Sequence, residues 1–156
     1  MMHSMVDRAE IRPPEADGHT EIVVEGPLHP VVVNGSYGEL VPLIASGMAR
    51  GASYWTVEDV MEQARRCDVY IFVAGFERSG PLMIAVVRVV QQPRQRCCFI
   101  ELVAGDRLDL CLEPGLAYIE AWAKGHGCDT IQATGREGWR RRRAGWHSAV
   151  TIWKEL

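Results

Sequence analysis

Three stretches of this 156-residue chain carry side chains able to do chemistry. The first is CCFIELV, residues 97–103, in which Glu101 is the one charged residue. A carboxylate among apolar neighbours loses solvation of its charged form; its pKa then rises and it can take a proton as a general base. Strand alternation sets Glu101 on the face of Phe99 and Val103. A plainer reading stays open: a strand carboxylate that reaches solvent, or one satisfied by an arginine such as Arg88 across the sheet. The second stretch is AGDRLDLCLEPG, residues 104–115, where Arg107 stands among Asp106, Asp109 and Glu113. The third is GREGWRRRRAGW, residues 135–146, with Arg136 and the run Arg140 to Arg143.

On a helix, Trp139, Arg142, Arg143 and Trp146 share one side, which leaves Arg140 and Arg141 projecting outward. Tryptophan there is an anchor to the sheet, and arginine stems cover apolar surface while their heads stay wet. Three roles follow for the patch of Arg136, Arg140, Arg141 and Arg143. It is a solvated helix face, a docking patch for an acidic partner such as the acidic N-terminal region of another copy, or a weak, salt-sensitive phosphate contact with DNA. A net charge of −3 argues against a general nucleic-acid binder. The charge is uneven: residues 1–50 hold seven acids against three arginines, and residues 136–143 hold five arginines against Glu137.

Other chemistries lack their residues. The five cysteines include no CxxC or CxxxC pair, so no zinc site is expected. They read as small buried hydrophobes in a reducing compartment. His126, in a Gly-His-Gly turn, and His147 have no Cys or Asp at a nucleophile's spacing. No signal peptide or long apolar run is seen, so the expectation is a cytoplasmic protein that does not enter membranes.

The elements that would position these groups follow from periodicity. Residues 1–19 read as a loose tail and 20–156 as one domain. TEIVVEG (20–26) is a β-branched strand. A helix is expected around 37–49, with Pro42 inside it. Thr56 is the N-cap of the next helix, with Trp55 and Val60 spaced as a hydrophobic staple and Val57, Val60, Met61 and Ala64 as its stripe. Apolar runs at 69–75, 81–92 and 97–105, joined by short links, predict an antiparallel meander. EPGLAYIEAWAKGHGC (113–128) predicts a helix with Pro114 in its first turn and Gly125 and Gly127 at its stop. A strand at 129–135, the arginine helix and a last strand at 148–156 complete an α/β domain with a mixed, mostly antiparallel sheet flanked by helices.

That order, with Gly145-Trp146 and Lys154-Glu155-Leu156 at its end, resembles the GNAT superfamily of N-acetyltransferases over most of residues 20–156. The stretch IEAWAKGHGCDTIQATGREGWRRRRAGW is also similar to GNAT-like proteins encoded in tailed phages and prophages, some of them virion-associated. The resemblance implies that acetyl-CoA is held by backbone amides in a glycine-rich turn at the start of the helix after the meander, where bare N–H groups suit phosphate. Arg107 matches the start of that turn's pattern, but Leu110 and Leu112 fall at its glycines. Asp106, Asp109 and Glu113 bring charge that repels a polyanion by roughly 0.5–2 kcal/mol each. Micromolar binding is worth only about 8 kcal/mol in all. The proton-donating tyrosine that the resemblance places four residues before Gly145 is Arg141, which cannot donate at neutral pH. The nearby Tyr118 belongs to another helix.

The expectation is therefore a catalytically degenerate GNAT-fold protein of phage or prophage type with a virion-associated or accessory role. It needs no cofactor and partners other virion proteins or itself, in the host cytoplasm or packaged in a virion. The alternatives are an active acetyl-CoA-dependent N-acyltransferase using Glu101, and a DNA-contacting accessory protein.

Overall fold

The structure, a computed structural model, describes residues 21–50, 55–134, 144–149, 152 and 154–156. The elements run β1 (Ile22–Glu25), α1 (Pro30–Gly35), α2 (Tyr37–Arg50), α3 (Val57–Arg65), β2 (Tyr70–Phe76), β3 (Met83–Gln91), β4 (Arg96–Gly105), α4 (Leu108–Gly125) and β5 (Thr130–Ala133). All five strands lie side by side in chain order. The first four pair antiparallel, as their short links dictate. β5 pairs parallel with β4, which needs a crossover, and α4 supplies it. The mixed, mostly antiparallel sheet flanked by helices is the architecture the periodicity predicts.

Both faces of the sheet are covered, so the central strands are apolar on both sides rather than alternating. On one face Leu40, Ile44, Val60 and Met61 pack on Ile71, Ile84 and Val86. On the other, Leu116, Ile119 and Ala123 of α4 pack on Phe72, Ala85, Val87 and Ile100. Close approach of α2 to β4 depends on Gly47: a Cβ there would stand 2.6 Å from Leu102 Cδ1 and 2.7 Å from Ala104 Cβ. The adjacent cysteines Cys97 and Cys98 point to opposite faces, and both are buried.

α3 begins as its sequence predicts. Asp59 N–H donates to Thr56 Oγ1 at 3.2 Å, and Thr56 N–H donates to Asp59 Oδ2 at 2.7 Å. These reciprocal bonds hold the Asp59 carboxyl below its ordinary pKa. Trp55 and Val57 pack with buried Val60 in the core beneath. The helix ends on Cys67, whose φ of 60° is the left-handed conformation that favours glycine.

Three expectations fail. α1 is a helix where HPVVVNG, rich in β-branched valine, suggests no such element. α4 starts at Leu108, five residues before the expected start, and carries Pro114 in its interior. The interior proline forfeits a hydrogen bond. The added first turns put Leu108, Cys111 and Leu112 into a small core with Ala74 and Met83. At 148–156, residues 148, 149, 152 and 154–156 lie in no strand, and Ile152, 91 % exposed, has no sheet face to bury it. The loose tail and residues 135–143 of the arginine helix lie outside the described residues.

Two substitutions test these helix ends. Thr56→Ala removes the cap and should cost about 1 kcal/mol in urea unfolding. Cys67→Gly relieves a left-handed residue costing about 1–2 kcal/mol, less glycine's entropy of about 0.5–1 kcal/mol, and should raise the unfolding midpoint. A lower midpoint would show that the thiol makes contacts that outweigh its backbone strain.

Candidate functional site at the end of the β4–β5 pairing

β4 carries one residue more than its partner. Val87 stands opposite Ile100 and Val86 opposite Leu102, so Glu101 is the unpaired residue of a β-bulge. One extra residue reverses the faces of everything after it. Val103 therefore packs with Phe72 and Val87 on the α4 side. Leu102 and Ala104 turn to the face of α2. The expected sharing of a face by Glu101 and Val103 does not hold, because alternation does not survive the bulge. The expected proximity to Arg88 does. Arg88 Nε donates to Glu101 Oε1 at 2.8 Å, and Nη2 lies 2.5 Å from the same oxygen. Glu101's side chain is 20 % exposed and Arg88's 41 %. The guanidinium carbon also sits 5.8 Å from the centre of the Phe99 ring. Glu101 is thus held by a cation through Oε1.

The bulge also marks where β4 and β5 cease to pair. Their register runs from Cys97 opposite Thr130 to Ile100 opposite Ala133, and β4 continues to Gly105 paired with β3 but, among the described residues, with no partner on its other side. An extended ligand could lie along that free edge, whose far end leads into the N-terminus of α4. Gly105 makes the corner with φ of 156°, and any Cβ on it would run into the Leu82 carbonyl oxygen.

At the corner the sequence reading needs a second correction. Leu110 and Leu112 do not sit in a phosphate-binding turn; they belong to the first turns of α4, and the turn itself is Gly105–Asp106–Arg107. Leucine bulk therefore does not stand in that turn. Arg107, at the N-cap position, makes no side-chain cap bond. Its Nε and Nη2 donate to the two oxygens of Asp109 at 3.0 and 3.1 Å. This fork-shaped pair holds the Asp109 carboxyl below its ordinary pKa, with the backbone amides of Asp109 and Leu110 adding to the effect. The same bond raises the pKa of Arg107. A carboxylate of the chain itself thus occupies the positive end of α4.

The remaining candidates are engaged or lie apart. Tyr118 O–H donates to the Gly26 carbonyl at 2.9 Å and packs edge-on against Phe72. His126 lies against the Trp122 ring, with Nδ1 2.8 Å from the Trp122 carbonyl oxygen. Burial, followed by the nearby thiols of Cys128 and Cys97, pushes Cys98 up to about 12, so it stays a neutral thiol. Among the described residues no group of His, Cys, Asp and Glu could hold a metal ion. No described helix is long and apolar enough to cross a membrane. Arg136, Arg140, Arg141 and Arg143 lie outside the described residues.

The Arg107–Asp109 pair yields a pH prediction. A depressed folded pKa stabilises the fold above the unfolded value of about 3.9, and that contribution is lost as pH falls through the folded pKa. Carboxyl NMR should place the Asp109 midpoint below the ordinary aspartate value, and Arg107→Ala should move it up. A midpoint that ignores Arg107→Ala would mean that the pair does not form in solution.

No known sequence family matches the chain, and no curated protein matches it. Solved structures do. An aminoglycoside acetyltransferase from an uncultured soil metagenomic sample, solved with sisomicin, is 14 % identical; the match covers 86 % of this chain and 96 % of that one at a TM-score of 0.65. Glucosamine-6-phosphate N-acetyltransferase from Arabidopsis thaliana is 14 % identical over 87 % of this chain and 99 % of its own, with a TM-score of 0.60. A GNAT family acetyltransferase from Staphylococcus aureus matches at 11 % identity over 86 % and 98 %, with a TM-score of 0.60. The fold is that of the GNAT acetyltransferases.

Proposed function

We propose that this chain is a GNAT-fold protein that has given up acyl transfer and serves an accessory or structural role. Its resemblance to phage-encoded GNAT-like proteins suggests virion assembly or packaging as the setting. The observation that carries this reading is the Asp109 carboxylate at the N-terminus of α4, bonded by Arg107. The diphosphate of a coenzyme A would need that same place. It would have to displace the carboxylate from its donors or sit beside it. The like charge of Asp109 opposes the diphosphate, though solvent screens it at this exposed position, and Arg107 is already engaged by that carboxylate. The residues present do not fit the coenzyme at this corner. Glu101 bonded to Arg88, and Arg141 where a tyrosine would donate a proton, point the same way.

A second reading has one observation in its favour. From the bulge to Gly105, β4 stays paired with β3 but has no partner on its other side among the described residues, which leaves an edge along which an acyl-CoA could extend. On that reading the chain is an acetyl-CoA-dependent N-acyltransferase with Glu101 as base. The acceptors named for the structural neighbours do not transfer to this chain, because at 14 % identity or less they carry fold alone.

Calorimetric titration with acetyl-CoA separates the two. The accessory reading predicts no saturable heat below about 1 mM ligand, equivalent to less than about 4 kcal/mol of binding. Saturation in the micromolar range would overturn it in favour of the transferase.

A further inference from the structure

Away from the β4–β5 opening, the edge strand β1 and the start of α2 enclose a cavity of about 270 Å³. Its lining comes from four parts of the chain: β1, the α1–α2 junction, β2 and the β2–β3 turn. Leu40 and Val73 lie in the floor, and the exposed Val23 and Val32 belong to the rim. Three carboxylates, Glu25, Glu39 and Glu77, share the lining, and among the described residues no lysine or arginine does. The carboxylates of Glu25 and Glu39 have no hydrogen-bond or ion-pair partner among the described residues. Val32 is 47 % exposed and its neighbour Val31 70 %. The groove therefore combines an apolar floor with the unpaired carboxylates of Glu25 and Glu39, which is the complement of an apolar side chain flanked by cations.

The chain contains such a segment. Residues 136–143 hold five arginines around Trp139. We propose that this acidic groove docks the arginine–tryptophan segment 136–143 of a second copy of the chain. Two grooves cannot meet face to face, because their carboxylates would oppose one another. The contact joins two different surfaces of the chain, made reciprocally in a two-fold dimer or head-to-tail in a ring or filament. Ala133 ends β5 at the far edge of the sheet from β1, four strand spacings or about 19 Å away. A seat for the segment within its own chain would leave the protein monomeric. An aromatic ring over the valines with guanidinium groups on the rim carboxylates is the arrangement expected of an interface anchor.

Sedimentation velocity on the full chain, with circular dichroism to confirm folding, tests this by charge exchange. At about 50 mM salt the wild type should associate as concentration rises, and at about 500 mM, where screening reaches only a few ångströms, it should sediment as a monomer. Glu25→Arg/Glu39→Arg and Arg140→Glu/Arg141→Glu should each be monomeric alone, and an equimolar mixture should associate again. A labelled peptide of residues 135–146 should bind the wild type at least about tenfold more tightly than the Glu25→Gln/Glu39→Gln variant, a loss of about 1.4 kcal/mol. Gln at those positions also covers the case in which the arginine substitutions fail to fold. The proposal is overturned by a wild type that stays monomeric at low salt. It is equally overturned by a mixture that does not re-associate, or by a peptide that binds the Gln variant as well as the wild type.

Discussion

One residue in β4 has no partner, and much of the molecule's arrangement depends on it. With Glu101 inserted opposite the Val86–Val87 step, the strand beyond it turns over. Leu102 and Ala104 then meet Gly47 of α2, while Val103 meets the α4 side. Without the bulge, alternation would direct Leu102 and Ala104 to the α4 side, and the close seat of α2 would lose its contacts. Pairing with β5 also ends there, and among the described residues nothing pairs with that side of β4 from the bulge to the corner at Gly105. The strand is thus paired on both sides in its first half and with β3 alone in the half that leads to a helix N-terminus.

What that track can serve depends on electrostatics at its end. A helix N-terminus offers bare amides and positive potential, the usual conditions for an anion. Here the anion is Asp109, bound through both of its oxygens by Arg107. The scaffold keeps the geometry of the GNAT fold, with the carboxylate of Asp109 at this helix end. A fold does not fix the chemistry it carries, because sheet and core depend on burial whereas a site depends on a few charges.

Legibility in the sequence divides along the same line between local and non-local causes. The capping box of Thr56 and Asp59, the meander and the apolar face of α4 are written in residues three or four apart, or two apart in strands, and they appear where periodicity puts them. Arg88 was legible as a partner for Glu101 because short links fix neighbouring strands. The bulge was not, since period-2 reading assumes one residue opposite one. The start of α4 was misread because Pro114 suits a first turn, and nothing local shows that Leu108 and Cys111 have a core to enter. α1 has no marker in the sequence, since three β-branched valines beside Pro30 are poor helix formers. The groove of Glu25, Glu39 and Glu77 was beyond sequence altogether: the acidic N-terminal third was visible, but only the fold brings those three carboxylates to one cavity.

The account is tested most directly at the amides of Leu108, Asp109 and Leu110, by 15N NMR titration of the full chain with inorganic pyrophosphate. It predicts that these resonances show no saturable shift below several millimolar in the wild type, and that they respond at lower concentration once Asp109→Asn removes the resident charge and frees Arg107. Saturable shifts of those amides at micromolar pyrophosphate in the wild type would contradict it.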